Sequence, residues 1–155
     1  MTVLIDTMRA LDVELRQILM GLTPRSRASH RFTTNKALDD GQDWKDVEAV
    51  PRLFVIEWNP SGSRYDFGSS TYTATVTGRL MVWYPLRGWS LDRLSDVEHV
   101  RDALKGIAGA GGGASTVTDV MYRFVNAEEE PSVEETEDGN WLSIPLIALV
   151  AVTQS

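Results

Sequence analysis

Leu4, Met8, Leu11, Leu15, Ile18, Leu19 and Leu22 recur at steps of three and four, the spacing that lines one face of a helix with apolar side chains. Asp6, Arg9, Glu14 and Arg16 fall mostly on the other side. The pattern predicts a helix from about Leu4 to Gly21, stopped by Pro24. From Thr23 to Arg52 no period can be followed, and the charges change from basic (Arg25, Arg27, His30, Arg31, Lys36) to acidic (Asp39, Asp40, Asp43, Asp46, Glu48). An irregular stretch of that length inside a compact domain is usually functional or disordered.

Period two then takes over. Leu53 to Trp58, LFVIEW, reads as a strand ended by the turn-forming Asn59-Pro60-Ser61-Gly62. The clearest alternation is STYTATVTGRLMVWY, Ser70 to Tyr84, with Tyr72, Ala74, Val76, Leu80, Val82 and Tyr84 on one face and Thr71, Thr73, Thr75, Thr77 and Arg79 on the other. It predicts a long strand with one face on a core, in which Gly78 marks a bulge or a sharp bend. Ser90 caps a second helix, along which Leu94, Val97, Val100, Leu104 and Ile107 recur at steps of three or four. Val117 to Val125 alternates as a third strand, an acidic loop spans Asn126 to Asn140, and WLSIPLIALVAV, Trp141 to Val152, is the fourth strand.

That last strand is apolar on both faces, with Leu142, Ile144, Leu146, Ala148, Val150 and Val152 on one and Trp141, Ile147, Leu149 and Ala151 on the other. Both faces therefore seek cover. Pro145 lacks an N–H for a ladder and belongs at an edge or a bulge. Two helices cover one face of such a sheet, so the other is covered by the 23–52 segment or by a neighbouring copy. The fold class expected is α+β: a four- to five-stranded, mixed or mainly antiparallel sheet with two helices on one face, in a single domain spanning 1–155.

Composition narrows the class. A chain of 155 residues buries roughly 70% of its unfolded surface in one core, and 43% hydrophobic with 24% charged residues is a globular balance. There are no cysteines, which removes disulfides, thiolate metal sites and cysteine nucleophiles and is easiest to reconcile with the cytosol. The N-terminal stretch is interrupted by Asp6, Arg9, Asp12, Glu14 and Arg16, unlike the apolar core of a signal peptide. The run from Trp141 to Val152 is too short for a transmembrane helix. Net charge is −7, and Glu128, Glu129, Glu130, Glu134, Glu135, Glu137 and Asp138 account for it, leaving 15 acidic residues against 15 basic elsewhere. A balanced remainder argues against a nucleic-acid surface, which needs a contiguous basic patch.

Candidate chemistry is sparse. GIAGAGGGAS, Gly106 to Ser115, is rich in glycine, but it follows a helix and precedes a strand, the reverse of a phosphate loop, and reads as a helix C-cap with a flexible connection. His30 and His99 sit in polar surroundings without ligand spacing and are expected at the surface. Asp66-Phe67-Gly68 has the letters of the kinase metal turn without the other kinase motifs, and reads as a turn into the long strand. No GxSxG elbow, Walker loop or DxDxDG calcium loop occurs. The sequence thus assigns no catalytic residue, no cofactor and no metal ligand, and the expectation is a protein that is not an enzyme.

The order of elements, a long N-terminal helix, an irregular segment, a hairpin with the alternating STYTATVTGRLMVWYP, a helix, a strand and the closing NWLSIPLIALVAV, resembles the tail terminator proteins of long-tailed bacteriophages over nearly the whole chain. The resemblance implies a small α+β subunit of the virion, made in the host cytoplasm. It implies a homohexameric ring at the head-proximal end of the tail, which caps the tube, stops its polymerisation and offers a docking surface to the neck. Its partners would be copies of itself, the tail tube protein and a neck or head-completion protein, with genomic DNA only in passage and no membrane. A neck protein of the same particle, a small α+β ligand-binding or enzymatic domain and a bacterial regulatory domain are the alternative readings.

No family motif places the interface, so its expected residues are physical choices. Arg25, Arg27 and Arg31 are expected to pair with acidic groups of a partner, in a 23–52 segment that becomes ordered on assembly. Trp141, Ile147 and Leu149 are the apolar candidates on the second sheet face. Glu128, Glu129, Glu130, Glu134, Glu135, Glu137 and Asp138 are expected to line the ring's channel or rim, or else to form a solvated loop outside it.

Overall fold

A computed structural model describes residues 2–67, 71–108, 113–114, 120–126 and 131–153, with side chains over 8–59, 75–104 and 131–147. Helix α1 runs Thr2–Gly21, a short helix α2 Lys36–Asp39, and helix α3 Ser90–Ala108; a single 3-10 turn covers Trp44–Asp46. The strands are β1 Phe54–Phe67, β2 Thr71–Tyr84, β3 Gly113–Ala114, β4 Val120–Asn126, β5 Ser132–Glu135 and β6 Asn140–Thr153. All belong to one sheet in the order β1-β2-β6-β4-β3, with β5 also on β6, and every strand pair is antiparallel. The fold is α+β as expected; four strands are long, and β3 and β5 are short additions.

The alternation of β2 sets the two layers. Val76, Leu80, Val82 and Tyr84 are buried together with Phe54 and Ile56 of β1, and with Leu142, Ile144 and Leu146 of β6. Leu11, Leu15 and Leu19 of α1 and Val100 and Leu104 of α3 close over them, each fully buried leucine contributing about 1.5–3 kcal/mol. Both long helices therefore lie on one face. On the other, the cross-strand partners Trp83 and Trp141 lie with Leu53 under Leu38, Trp44 and Ala49. The 23–52 segment thus supplies cover for the end of the second face that the sequence left open between two possibilities.

Three strand expectations are corrected. Asn59-Pro60-Ser61-Gly62 does not end β1: the register passes from Asn59↔Thr77 to Arg64↔Thr75, so residues 60–63 bulge out opposite Val76 alone and the strand resumes. The letters announced an irregularity, and the pairing beyond it keeps the chain extended. Gly78 is in regular register with Trp58 and Leu146, and is a seat rather than a bend. A Cβ there would lie 2.5 Å from the Glu57 carbonyl oxygen and 2.7 Å from the Trp58 ring.

Pro145 sits in the central strand and not at an edge. β4 pairs with β6 from Leu146 onward and β5 from Ser143 back. The break between β4 and β5 therefore falls opposite Ile144 and Pro145, where a missing N–H costs no ladder bond. The acidic loop is corrected in the same region. Glu134 and Glu135 are on β5, and the hairpin turn narrows to residues 136–139, with Thr136 N and Oγ1 both bonded to the Gly139 carbonyl.

In α3 the buried row is Asp92, Asp96, Val100 and Leu104, spaced by four, while Leu94, expected in the core, is 69% exposed. Within that row Asp92 accepts from the Ser26 hydroxyl at 2.6 Å, while Asp96 is held by Arg52. Its Nε and Nη2 donate to the Asp96 carboxylate at 2.7 and 3.1 Å. Nη1 donates to the carbonyls of Arg27 and His30, and Nη2 also to that of Ser26, each at 2.9 Å. All five guanidinium N–H groups are used, and Tyr84 donates its hydroxyl to Asp96 at 2.7 Å. A fully buried charge survives because every bond it loses to water is replaced.

Candidate interaction surface

The exposed side of α3 is built by the same register that buries Asp92 and Asp96. Leu91 and Leu94, three residues apart and 78% and 69% exposed, share the outer face. Beside them a cleft of about 670 Å³ separates α3 from β5 and β6, floored by Val97 and Leu142 and closed by Pro131 and the half-exposed Val133. Arg93, Glu98, Arg101 and Asp102 form its polar rim. The cleft is bordered by β5, whose second edge has no partner among the described residues, and such an edge is a template for another chain. Contiguous exposed leucines next to such an edge are the pattern of an association surface.

The arginines expected to meet a partner are engaged within the chain. Arg25 reaches Asp102 at 3.1 Å and Glu98 at 3.4 Å on α3. Arg27, in a left-handed backbone conformation, lies 4.2 Å over the Trp89 ring, pairs with Asp92 at 3.5 Å and donates to the Gly88 carbonyl at 2.7 Å. Arg31 donates to the carbonyls of Gly21 and Met20 at 3.1 and 3.4 Å, where a cation complements the C-terminal end of α1. The acidic groups that Arg25 and Arg27 meet are on α3, because Arg52 and Asp96 draw the 26–30 turn against that helix.

Trp141 is 4% exposed and sits under Trp44, ring centroids 5.8 Å apart, edge to face. Ile147 is half-buried. Leu149 pairs with Thr75 and Arg123 in the sheet, and its side chain lies outside the described residues. Glu134, Glu135, Glu137 and Asp138 are exposed along β5 and its turn, and Glu128, Glu129 and Glu130 lie outside the described residues. Among the described residues the structure does not gather the expected interface side chains on one surface.

His30 is exposed, as expected, with its ring 5.4 Å from Trp89. His99 is half-buried, with Nδ1 enclosed and unbonded, because it follows the core-facing side of α3. Asp66 and Phe67 pair with Thr73 and Tyr72 as the end of β1 rather than forming a turn. In the glycine-rich stretch the described residues keep the expected order, the end of α3 before Gly113–Ala114 of β3.

What sequence reasoning missed is Leu91 with Leu94 as an outward pair, and Arg52 with Asp96 as a buried one. In SLDRLSDVEHV two rows compete, the leucines three apart and the aspartates four apart. Only the partner Arg52, far away in sequence, decides which turns inward. Among the described residues no group of three His, Cys, Asp or Glu side chains is placed to hold a metal ion, and no helix is long and apolar enough to cross a membrane. Compared with known protein-family models and with curated protein sequences, the chain matches none.

Proposed function

We propose that this chain is a ring-forming structural subunit of a phage virion, a tail terminator that caps the tail tube and presents a docking surface to the neck. The order of elements supports the reading, and the observation that carries it is the face formed by Leu91, Leu94 and the cleft along β5. Two large side chains held in water on a rigid helix, beside a strand edge that no described residue covers, suit a subunit that finishes its surface by meeting another subunit.

The test is assembly. The purified chain is expected to form rings, alone or on tail tubes, and Leu91→Glu with Leu94→Glu should weaken that association at least about tenfold, since burying each leucine is worth about 1.5–3 kcal/mol. The variant monomer should keep its unfolding midpoint, because both side chains are exposed. A chain that stays monomeric with its tubes, or a variant that assembles unchanged, overturns the reading.

A further inference from the structure

The face of the sheet away from the long helices carries a second pocket, of about 330 Å³, at the small end of ligand sites. Its walls come from three places that the fold brings together. Leu38 lies in the short helix, and Gly41, Gln42, Asp43 and Trp44 follow that helix; Val55 and Glu57 come from β1 and Met81 from β2; Glu134 and Trp141 are paired across β5 and β6. Cross-strand partners share a face, so the Glu134 carboxylate stands beside the Trp141 ring. Trp44 packs edge to face on that ring, centroids 5.8 Å apart.

The charges of this pocket are one-sided. Among the described residues Asp43, Glu57 and Glu134 are its ionisable walls. Glu57 is shared with Arg79 at 3.2 Å, and Asp43 uses one oxygen to accept from the Lys45 N–H. Neither Asp43 nor Glu134 has a cationic partner among the described residues, and both are exposed. Two uncompensated carboxylates over an aromatic pair and an apolar floor match one chemistry, a cationic nitrogen on an aliphatic stem. The partly exposed Trp44 ring and the carboxylates attract the head, and Leu38, Val55 and Met81 accept the stem.

We propose that this pocket binds an alkyl ammonium or alkyl guanidinium group. The group is either a free diamine or the side chain of a lysine or arginine. The inference is independent of ring formation, since the pocket and the α3 face are built from different residues.

The experiment follows the indole N–H resonances of the intact chain, which has five tryptophans, with Trp44→Phe assigning one of the two that matter. Agmatine, n-butylammonium and an N-acetyl-lysine amide are added at constant ionic strength, with n-butanol as the neutral control. A saturable shift of the Trp44 and Trp141 signals below roughly 10 mM is expected, absent with n-butanol. It should be weakened about tenfold in Asp43→Asn with Glu134→Gln and unchanged in Glu137→Gln. Tighter binding of the lysine amide than of the free amines assigns the group to a protein partner; the reverse order assigns it to a diffusible amine. Equal shifts with n-butanol, no saturation, or undiminished binding in the double variant overturns the proposal, whatever the state of assembly.

Discussion

Arg52 and Asp96, 44 residues apart in the chain, meet as a two-bonded ion pair with side chains 0% and 1% exposed. The pair joins the approach to β1 to the middle of α3, and Tyr84 at the end of β2 bonds the same carboxylate. Arg52 holds this place at a φ of 66°, a conformation uncommon for a side chain of its size, which the surrounding bonds must over-determine.

Removing either member leaves the other buried without compensation. Asp96→Asn and Arg52→Met should each cost about 3–5 kcal/mol, read as a lower urea midpoint. A double-mutant cycle should show the combined loss to be well below the sum. Additive losses would mean that the two groups act separately.

Tyr84 gives the pH dependence. Burial, and after it the charge of Asp96 beside the hydroxyl, raise its pKa far above the ordinary 10.0. The folded state thus disfavours the phenolate, so this group's contribution to stability is whole below pH 10 and is lost as the pH rises toward the folded value. Of the four tyrosines, Tyr84 should stay un-ionised in a spectrophotometric titration until the chain unfolds. Tyr84→Phe should leave the native part of the curve unchanged, and a smaller native amplitude in the variant would contradict the assignment.

Gly78→Ala should destabilise by about 1–3 kcal/mol, because the new methyl meets the Glu57 carbonyl and the Trp58 ring. Trp58→Ala in the same chain should recover only part of that loss, since the carbonyl belongs to the backbone and stays. Thermal unfolding of the two variants separates the contributions.

Neighbouring residues of the 23–52 segment should differ sharply. Phe32, 2% exposed in the main core, should cost about 3–5 kcal/mol as Phe32→Ala. Arg31→Ala, which loses surface bonds to the end of α1, should cost about 0.3–1 kcal/mol. Equal, small effects would show that the segment is not a packed part of the subunit.

The fold was legible where one physical demand acted alone. The stripe of Leu11, Leu15 and Leu19 and the alternation of Val76, Leu80, Val82 and Tyr84 serve only burial, so the pattern and the structure agree. Asp92, Asp96 and Arg52 carry the same letters whether solvated or buried, and only the fold brings their charges together. Asn59 to Gly62 announced a break, but whether a chain turns or bulges there depends on the pairing that resumes at Arg64. Of the candidate surface, the arginines were visible and their partners were not, because Glu98, Asp102 and Asp92 become neighbours only once α3 docks. Leu91 and Leu94 were hidden by a row of apolar letters that fits a helix face in either rotation.

The carboxylate of Asp96 also has a mechanical meaning. A force applied to the outer face of α3 reaches β1 through Arg52, β2 through Tyr84 and the 26–30 turn through the carbonyls that Arg52 holds. The helix is thereby riveted at one buried point to three parts of the subunit. A load placed on Leu91 and Leu94 is spread into the sheet instead of peeling the helix away from it.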